Sequence, residues 1–367
     1  MLPYLIVFSI CIFLNSLKLK SNKVPLFLSC LVLSLLAGFR DMGVGTDTMT
    51  YSENYFITGR YIKDISDIGI VGEGYDKGYL MLNRIGSFLS NRLWIVFFLT
   101  ELLITGFTFG AFYRLRKYFR ASSVMFTLVF LLLIYNYTYN AMRQMCAVAI
   151  AFYAFSYLWE RKWLPYIGWT LLAVTFHSSA AVSLLIPIIY AVVALENTNV
   201  RKYLIYIFMA LMVISVYYYY DLLLLLGNMG MFKEAYMERY GENTIYEVGR
   251  IPNTFIAITI LIYYIIYLTY KKTYILKSSD LLFHFTIHTF YMFAICLSLY
   301  SLFLYRIGLY FYLISIFFFS VELTSRKIPY MWRWSAICIV MFYWFFNYVI
   351  KGNGETIPYT SKILGIY

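Results

Sequence analysis

Charged side chains are scarce in this sequence, and their scarcity excludes a water-soluble fold. Asp, Glu, Lys and Arg make up 13% of the 367 residues, whereas soluble domains contain about a quarter. Hydrophobic residues make up 62%, and the mean hydropathy is +0.71. This composition is typical of proteins that cross a lipid bilayer many times. We therefore predict an all-α, polytopic helical membrane protein that forms a single integral membrane domain over residues 1–367.

The sequence also lacks the motifs that would indicate nucleotide or metal chemistry. It contains no Walker loop, no GxGxxG or HExxH motif and no serine nucleophile elbow. Its five cysteines all lie within apolar stretches, without the CxxC or Cys/His spacing of a metal site. These absences argue against an ATP-driven machine, and we expect neither a metal nor a cofactor.

Basic residues nevertheless outnumber acidic ones, which gives a net charge of +12. In a soluble protein such an excess would suggest nucleic-acid binding. Here the Lys and Arg residues form short blocks between apolar stretches, where they act as signals of membrane topology. We therefore expect the lipid bilayer, and no nucleic acid, as a partner.

Charged residues and Gly/Pro clusters divide the chain into about twelve apolar stretches that are candidate transmembrane helices. All six odd-numbered connections between them contain Lys or Arg, and short basic loops stay on the cytoplasmic side. This pattern predicts that both termini lie outside. The candidate helices are residues 2–17, 24–39, 93–113, 123–137, 143–159, 163–176, 179–195, 203–226, 253–270, 281–301, 305–323 and 334–350.

Two long even-numbered connections, approximately residues 40–92 and 227–252, mix acidic and basic residues and are predicted to be outer loops. Loops of this length are uncommon unless they are functional. Four groups of polar residues lie at outer ends of the predicted spans. Because the topology rests on the basic loops alone, their shared side predicts a functional site at the outer surface. The groups are residues 38–48 with Arg40, Asp41 and Asp47; Arg143 and Gln144; residues 177–179 with His177; and Arg306.

Three arginines in these groups, Arg40, Arg143 and Arg306, are predicted to form an anion site. Nearby helix N-termini would add unpaired N–H groups and a positive dipole to their charge. The planar guanidinium group matches the oxygens of a phosphate and stays charged. For each arginine alone, the alternative is a side chain that snorkels to the lipid head groups.

The other polar residues of these groups each have two interpretations. His177 could serve as a base or hydrogen-bond a substrate, or it could cap and pack at a helix joint. Asp41 and Asp47 could act in the site, or they could stabilise turns through hydrogen bonds to the local backbone.

Several short motifs occur in order at the ends of the predicted spans. In these residues, which span about half of the chain, the sequence resembles the EpsG family of bacterial membrane proteins, which belongs with the Wzy-type polysaccharide polymerases. The motifs are Phe39-Arg40-Asp41, Gly45-Thr46-Asp47-Thr48 with Tyr51, Glu73-Gly74-Tyr75, Arg143-Gln144 and Phe176-His177-Ser178-Ser179.

The resemblance implies a glycosyltransferase of the bacterial inner (cytoplasmic) membrane whose active site faces the periplasm or exterior. It would join undecaprenyl-diphosphate-linked oligosaccharides into a growing polymer, by an inverting, metal-independent transfer. The implied partners are this lipid-linked substrate, the polymer and a chain-length regulator protein. The implied site residues are Arg40, Arg143 and Arg306 for the diphosphate, His177, Asp41, Asp47 or Glu73 as the base, and Gln144, Tyr51 and Tyr75 for the remainder of the substrate.

Three other functions remain open from the sequence. A flippase for lipid-linked oligosaccharides would also bind diphosphate, but it should carry charges along a central path rather than at one border. A transferase resembling O-antigen ligases shares every feature named above. A structural partner in a polysaccharide assembly complex would need none of them.

Overall fold

The described part of the chain is helical and contains no strand, which confirms the all-α prediction. The computed structural model describes residues 1–17, 19, 23–63, 67, 74–218, 221, 225, 253–272, 276–297 and 302–367. The predicted outer loop at 227–252 lies outside these residues.

Each of the twelve predicted spans overlaps a described helix or a helix with a break, while residues 219, 220, 222–224 and 226 of the eighth span and 298–301 of the tenth lie outside the described residues. The breaks are short π-helical or 3₁₀ segments and the single residue Gly308. In chain order the helices are α1 (Leu2–Ser16), α2 (Lys23–Gly38), α3 (Thr46–Tyr61), α4 (Lys77–Leu89), α5 (Trp94–Phe119), α6 (Ser123–Thr138), α7 (Met142–Trp159), α8 (Trp163–Phe176), α9 (Leu185–Val193, after the 3₁₀ helix Ser178–Leu184), α10 (Thr198–Tyr217), α11 (Asn253–Lys272), α12 (Ser278–Leu297), α13 (Leu302–Ile307), α14 (Leu309–Thr324) and α15 (Tyr330–Ile350).

The number of membrane spans is not confirmed by helix length. Within the described residues, α5 and α15 are long and apolar enough to cross a membrane. Other apolar helices are only 10–17 residues long, even when adjoining π and 3₁₀ segments are counted with them. The count of twelve therefore stays a prediction.

Helices α3 and α4 lie within the segment that was predicted as a long outer loop. α3 has one acidic residue in its first turn and one basic residue in its last, which complements the helix dipole. α4 buries Tyr79, Leu80, Asn83 and Gly86, which recur every three or four residues along one face. Lys77, Arg84 and Ser87 interrupt the apolar residues of α4, so the segment contains no continuous apolar stretch that would predict a membrane helix.

The outer surface of the helices is apolar, as expected for side chains that face lipid. Along α8 the side chains of Leu164, Ile167 and Leu171 are exposed at the spacing of one helix face. Such an apolar stripe on the outside, rather than the inside, of a bundle is the arrangement of a membrane protein.

The interior is built around α7 and α14. α7 packs against α5 and α8, and it buries small residues such as Ala147, Ala151 and Ala154 that let helices approach closely. Every residue of α14 from Leu309 to Leu323 is buried, so this helix contacts protein on all sides.

A cluster of charged residues marks one end of the bundle, which we call the basic end. It consists of Glu160, which follows α7, and three cations around it. Glu160 accepts hydrogen bonds from Arg114 at 2.7 Å, Lys117 at 3.0 Å and Lys162 at 2.9 Å. Residues of two predicted cytoplasmic loops therefore meet here, as the topology requires. Because α7 has 18 residues, its opposite end lies about 27 Å away.

Glu160 should stabilise the basic end through these cations. Burial alone would raise its pKa, but hydrogen bonds from Lys162 and Lys117 and the charge of Arg114 outweigh burial and lower the pKa to about 2. We expect Glu160→Gln to lower the Tm of the purified protein by about 1 °C, the shift produced by ~1 kcal/mol in a chain of 367 residues. Because the folded-state pKa is depressed, the difference from the unchanged protein should disappear as pH falls towards 2.

The matched control for this experiment is Glu196→Gln, which neutralises an exposed carboxylate and should leave Tm unchanged. Equal effects of the two substitutions would show that the Glu160 cluster does not stabilise the fold.

Candidate functional site

A polar pocket lies at the end of the bundle opposite the basic end. It forms where helix ends from distant parts of the chain meet, and its free space of about 280 Å³ includes open solvent at its mouth. The start of α3, the start of α7, the end of α8 and the end of α13 all reach it. Its lining residues are Asp47, Asn140, Ala141, Met142, Arg143, Gln144, His177 and Arg306.

The first turn of α7 forms one wall of the pocket. The residue before the helix, Ala141, provides no side-chain cap, so the first N–H groups of α7 have no capping acceptor from that side chain. Ala141 and the next three residues line the pocket. The positive end of the α7 dipole therefore adds to the charge of Arg143, and both favour an anion in the pocket.

Arg143 joins the pocket to helices α3 and α4. Its guanidinium group forms an ion pair with Asp76, the residue that precedes α4. It also donates to the hydroxyl of Tyr55, on α3, at 2.9 Å. Burial is the largest cause of the rise in the pKa of Tyr55 to about 12, so this hydroxyl stays neutral and can accept the bond.

Arg306 enters the pocket because α13 ends just after it. Gly308 separates α13 from α14, and the break directs the carbonyl of Arg306 towards α7. Gln144 donates to this carbonyl from Nε2 at 2.8 Å. The side-chain amide of Gln144 therefore links α7 to α13. Arg143 and Met145, the residues on either side of Gln144, lie in the first turns of α7.

Asp47 brings a carboxyl group to the two arginines. It is the second residue of α3, outside the apolar helices, and it is half-buried. Burial raises the pKa of Asp47 above its ordinary value, and the charges of Arg306 and Arg143 only partly offset this rise. A half-buried carboxylate with a raised pKa binds a proton more readily than an exposed aspartate, which suits it to act as a general base.

His177 caps the 3₁₀ helix that follows α8. Its Nδ1 accepts from the backbone N–H of Ser179 at 3.3 Å and lies 2.7 Å from the Ser179 hydroxyl. That hydroxyl is 3.0 Å from the hydroxyl of Tyr310. Because a backbone N–H can only donate, this geometry assigns the proton of the neutral ring to Nε2. The capping interpretation is thus observed, and His177 is better arranged as a hydrogen-bond donor than as a base.

Arg40 does not belong to the described lining of the pocket. Its guanidinium group lies between the rings of Phe97 and Tyr139, at 4.3 Å from each ring centroid. It donates to the carbonyl of Ala37 at 3.0 Å and contacts the sulfur of Met142 at 3.2 Å. Arg40 is therefore buried behind Met142, beside the start of α7, and its role in binding the diphosphate stays a prediction.

The remaining predicted site residues lie beside the pocket or outside the described residues. Asp41 accepts from the backbone N–H of Lys362 at 2.9 Å and does not belong to the described lining. Tyr75 packs edge-to-face on Tyr55 at 4.7 Å, one layer behind Arg143. Glu73 and the side chain of Tyr51 lie outside the residues that the structure describes.

Three residues of the site were not predicted from the sequence. Asn140 lines the pocket three residues before Arg143, and Asp76 and Tyr55 hold Arg143 in place. Asp76 follows directly on the motif Glu73-Gly74-Tyr75, which is the signal that could have identified it. Asn140 and Tyr55 carry no such signal, because asparagine and tyrosine are common in loops and at helix borders.

Comparison with known proteins supports the resemblance noted in the sequence. The model of the EpsG family matches residues 23–361, almost the whole chain. No curated protein and no solved structure matches the chain. The match includes every described residue of the pocket, from Asp47 to Arg306. The chain therefore belongs to the EpsG family, which includes Wzy-type polysaccharide polymerases.

Proposed function

We propose that the protein is a polysaccharide polymerase of the bacterial cytoplasmic membrane. It joins undecaprenyl-diphosphate-linked oligosaccharide units by an inverting, metal-independent glycosyl transfer on the outer side. The observation that carries the proposal is the meeting of Arg143, Arg306 and Asp47 in one pocket. Membership of the EpsG family supports a polymerase-type activity in polysaccharide biosynthesis.

The arginines suit the leaving group of such a transfer. When the bond between the anomeric carbon and the diphosphate oxygen breaks, the electron pair leaves with the diphosphate. The added negative charge would fall between Arg143, Arg306 and the positive end of α7. These groups provide the stabilisation that other transferases obtain from a metal ion.

Asp47 is the base that the geometry favours. The attacking sugar hydroxyl forms the new bond to the anomeric carbon from the side opposite the diphosphate, which inverts that carbon, and its proton passes to Asp47. The raised pKa of this carboxyl group makes it a stronger proton acceptor than an exposed aspartate. His177 would donate from Nε2 to a sugar or phosphate oxygen, and Gln144 would hold α13 in place.

The pocket end faces outward in this proposal. The positive-inside rule assigns the basic end, with Arg114, Lys117 and Lys162, to the cytoplasmic side. The pocket lies at the opposite end of α7, where a lipid-linked substrate could place its diphosphate at the membrane border and its sugars in water. The growing polymer, and a chain-length regulator protein, would then meet the enzyme on that side.

Arg143 should be needed for the transfer itself. In an assay with a defined lipid-linked repeat unit, we expect Arg143→Ala to lower kcat/KM by about 10²–10³-fold, the cost of removing one donor to a developing anion. Arg143→Lys should retain part of the activity, because it keeps the charge but not the fork of donors. Arg306→Ala should cause a similar loss while leaving the ion pair of Arg143 with Asp76 intact.

Arg92→Ala is the matched control, since Arg92 is exposed on the connection between α4 and α5 and should be replaceable without loss. The assay is run with EDTA, in which the unchanged enzyme should keep its rate. Abolition of polymer formation by the chelator would contradict the metal-independent transfer, and full activity of Arg143→Ala would contradict the anion site.

Asp47 should determine how activity depends on pH. A base must be ionised, so kcat/KM should rise with pH through the raised pKa of Asp47 and level off above it. Asp47→Asn should remove this acidic limb and lower kcat by about 10²–10⁴-fold, whereas His177→Gln should cost less. If His177→Gln or Glu73→Gln abolishes the limb and Asp47→Asn does not, the base is one of those residues.

A further inference from the structure

Asn140 connects the helix starts that carry Asp47 and Arg143. Its Oδ1 accepts from the backbone N–H of Thr46 at 2.7 Å and from the Thr46 hydroxyl at 3.1 Å. Gly45, at the N-cap position of α3, has no side chain with which to satisfy that N–H. The cap of α3 thus comes from a residue that stands three positions before Arg143.

The segment from Lys351 to Tyr367 packs against the same turn from the other side. The carbonyl of Glu355 accepts from the backbone N–H of Gly45 at 2.9 Å, and that of Thr360 accepts from Asp41 at 3.0 Å. We call residues 351–367 the C-terminal strap. Its backbone hydrogen bonds to residues 41 and 45 thus hold the turn that leads into Asp47.

The strap is itself firmly anchored in the bundle. The hydroxyl of Tyr359 donates to the carbonyl of Leu36 at 2.7 Å, and that of Tyr4 donates to the carbonyl of Thr356 at 2.9 Å. Tyr4, Thr356 and Tyr359 are all buried. The strap is thus part of the folded core, and its position is set by α1 and α2 rather than by the pocket.

Gly354 brings the strap into direct contact with Asn140. A Cβ atom at position 354 would lie 2.3 Å from Nδ2 of Asn140, and the backbone there has a φ of +75°. Only glycine adopts this conformation readily and leaves that space. The close approach limits where the Asn140 amide can turn, so that its Oδ1 stays directed at Thr46.

We propose that Asn140 and the C-terminal strap form a positioning device that holds Asp47 at its place against Arg143 and Arg306. The catalytic part of this proposal rests on the proposed function, in which Asp47 accepts a proton. A base must lie within hydrogen-bond reach of the hydroxyl it deprotonates, and a displacement of about 1 Å can cost 10²-fold in rate. Asn140 and Gly354 are positioning residues, since they act through the turn and α3.

Hydrogen–deuterium exchange tests the positioning without reference to catalysis. In protein reconstituted into lipid nanodiscs, Asn140→Ala and Gly354→Ala should increase exchange of the amides in residues 41–48 by at least about tenfold. Each substitution should release hydrogen bonds that hold this turn in the unchanged protein. Gly365→Ala is the matched control: Gly365 also has a positive φ, of +66°, but no atom lies within 4 Å of its added Cβ.

Asn140→Asp keeps an oxygen that can accept from Thr46 and should restore slow exchange. If Gly354→Ala prevents folding, the pair of substitutions at Asn140 still decides the outcome. Unchanged exchange in Asn140→Ala would overturn the positioning device, whether or not the protein proves to be a polymerase.

The pH dependence of the transfer tests the catalytic part. In Asn140→Ala, Asp47 should leave its half-buried position, and its pKa should fall. The acidic limb of kcat/KM should therefore shift to lower pH. The displacement of the base should also lower kcat about tenfold or more. A merely structural defect would lower the amount of active enzyme and leave the limb where it is. Faster exchange with an unmoved limb would overturn the proposal, and an unchanged rate in Asp47→Asn would show instead that the proposed base is wrong.

Discussion

The ion pair between Arg143 and Asp76 is the contact on which the geometry of the pocket depends. It is the charged link between the helices of the first outer segment, α3 and α4, and the apolar bundle. Both side chains are less than one-fifth exposed. Removing one partner of such a pair leaves a partly buried charge uncompensated, at a cost below the roughly 3–5 kcal/mol of a fully buried pair because water reaches both side chains. The bundle thus needs α4 to balance Arg143, and α3, packed on α4, brings Asp47 to the arginines.

Cations at the two ends of the bundle are used in different ways. At the basic end, Arg114, Lys117 and Lys162 all contact the one carboxylate of Glu160. At the pocket end, Arg143 and Arg306 face a cavity together with an uncapped helix start. The pocket arginines also have the carboxylates of Asp76 and Asp47 beside them, but the pocket offers a bound anion a cavity and the positive end of the α7 dipole. This difference is why we assign the chemistry to the pocket end, although the basic end carries more cations.

Much of the site could be predicted from the sequence, because charges at the ends of apolar stretches are rare and informative. Arg143, Gln144, His177, Arg306 and Asp47 were predicted and do share one pocket. The position of Arg40 could not be predicted, because its neighbours Phe97 and Tyr139 come from distant parts of the chain. Asn140 and the C-terminal strap were missed for the same reason: their roles depend on backbone contacts with residues 41–46, which leave no pattern of charge or hydropathy. The positions of the apolar helices followed from hydropathy, whereas α3, α4 and the short π and 3₁₀ segments were not predicted.

The most direct test of the account is a structure of the protein in a lipid bilayer with an undecaprenyl-diphosphate-linked sugar bound. We predict that the diphosphate oxygens lie about 2.7–2.9 Å from guanidinium nitrogens of both Arg143 and Arg306, the distance of charge-assisted hydrogen bonds. The anomeric carbon should then face the side of the pocket that holds Asp47. Diphosphate bound instead among Arg114, Lys117 and Lys162, or bound without contact to either pocket arginine, would contradict the account.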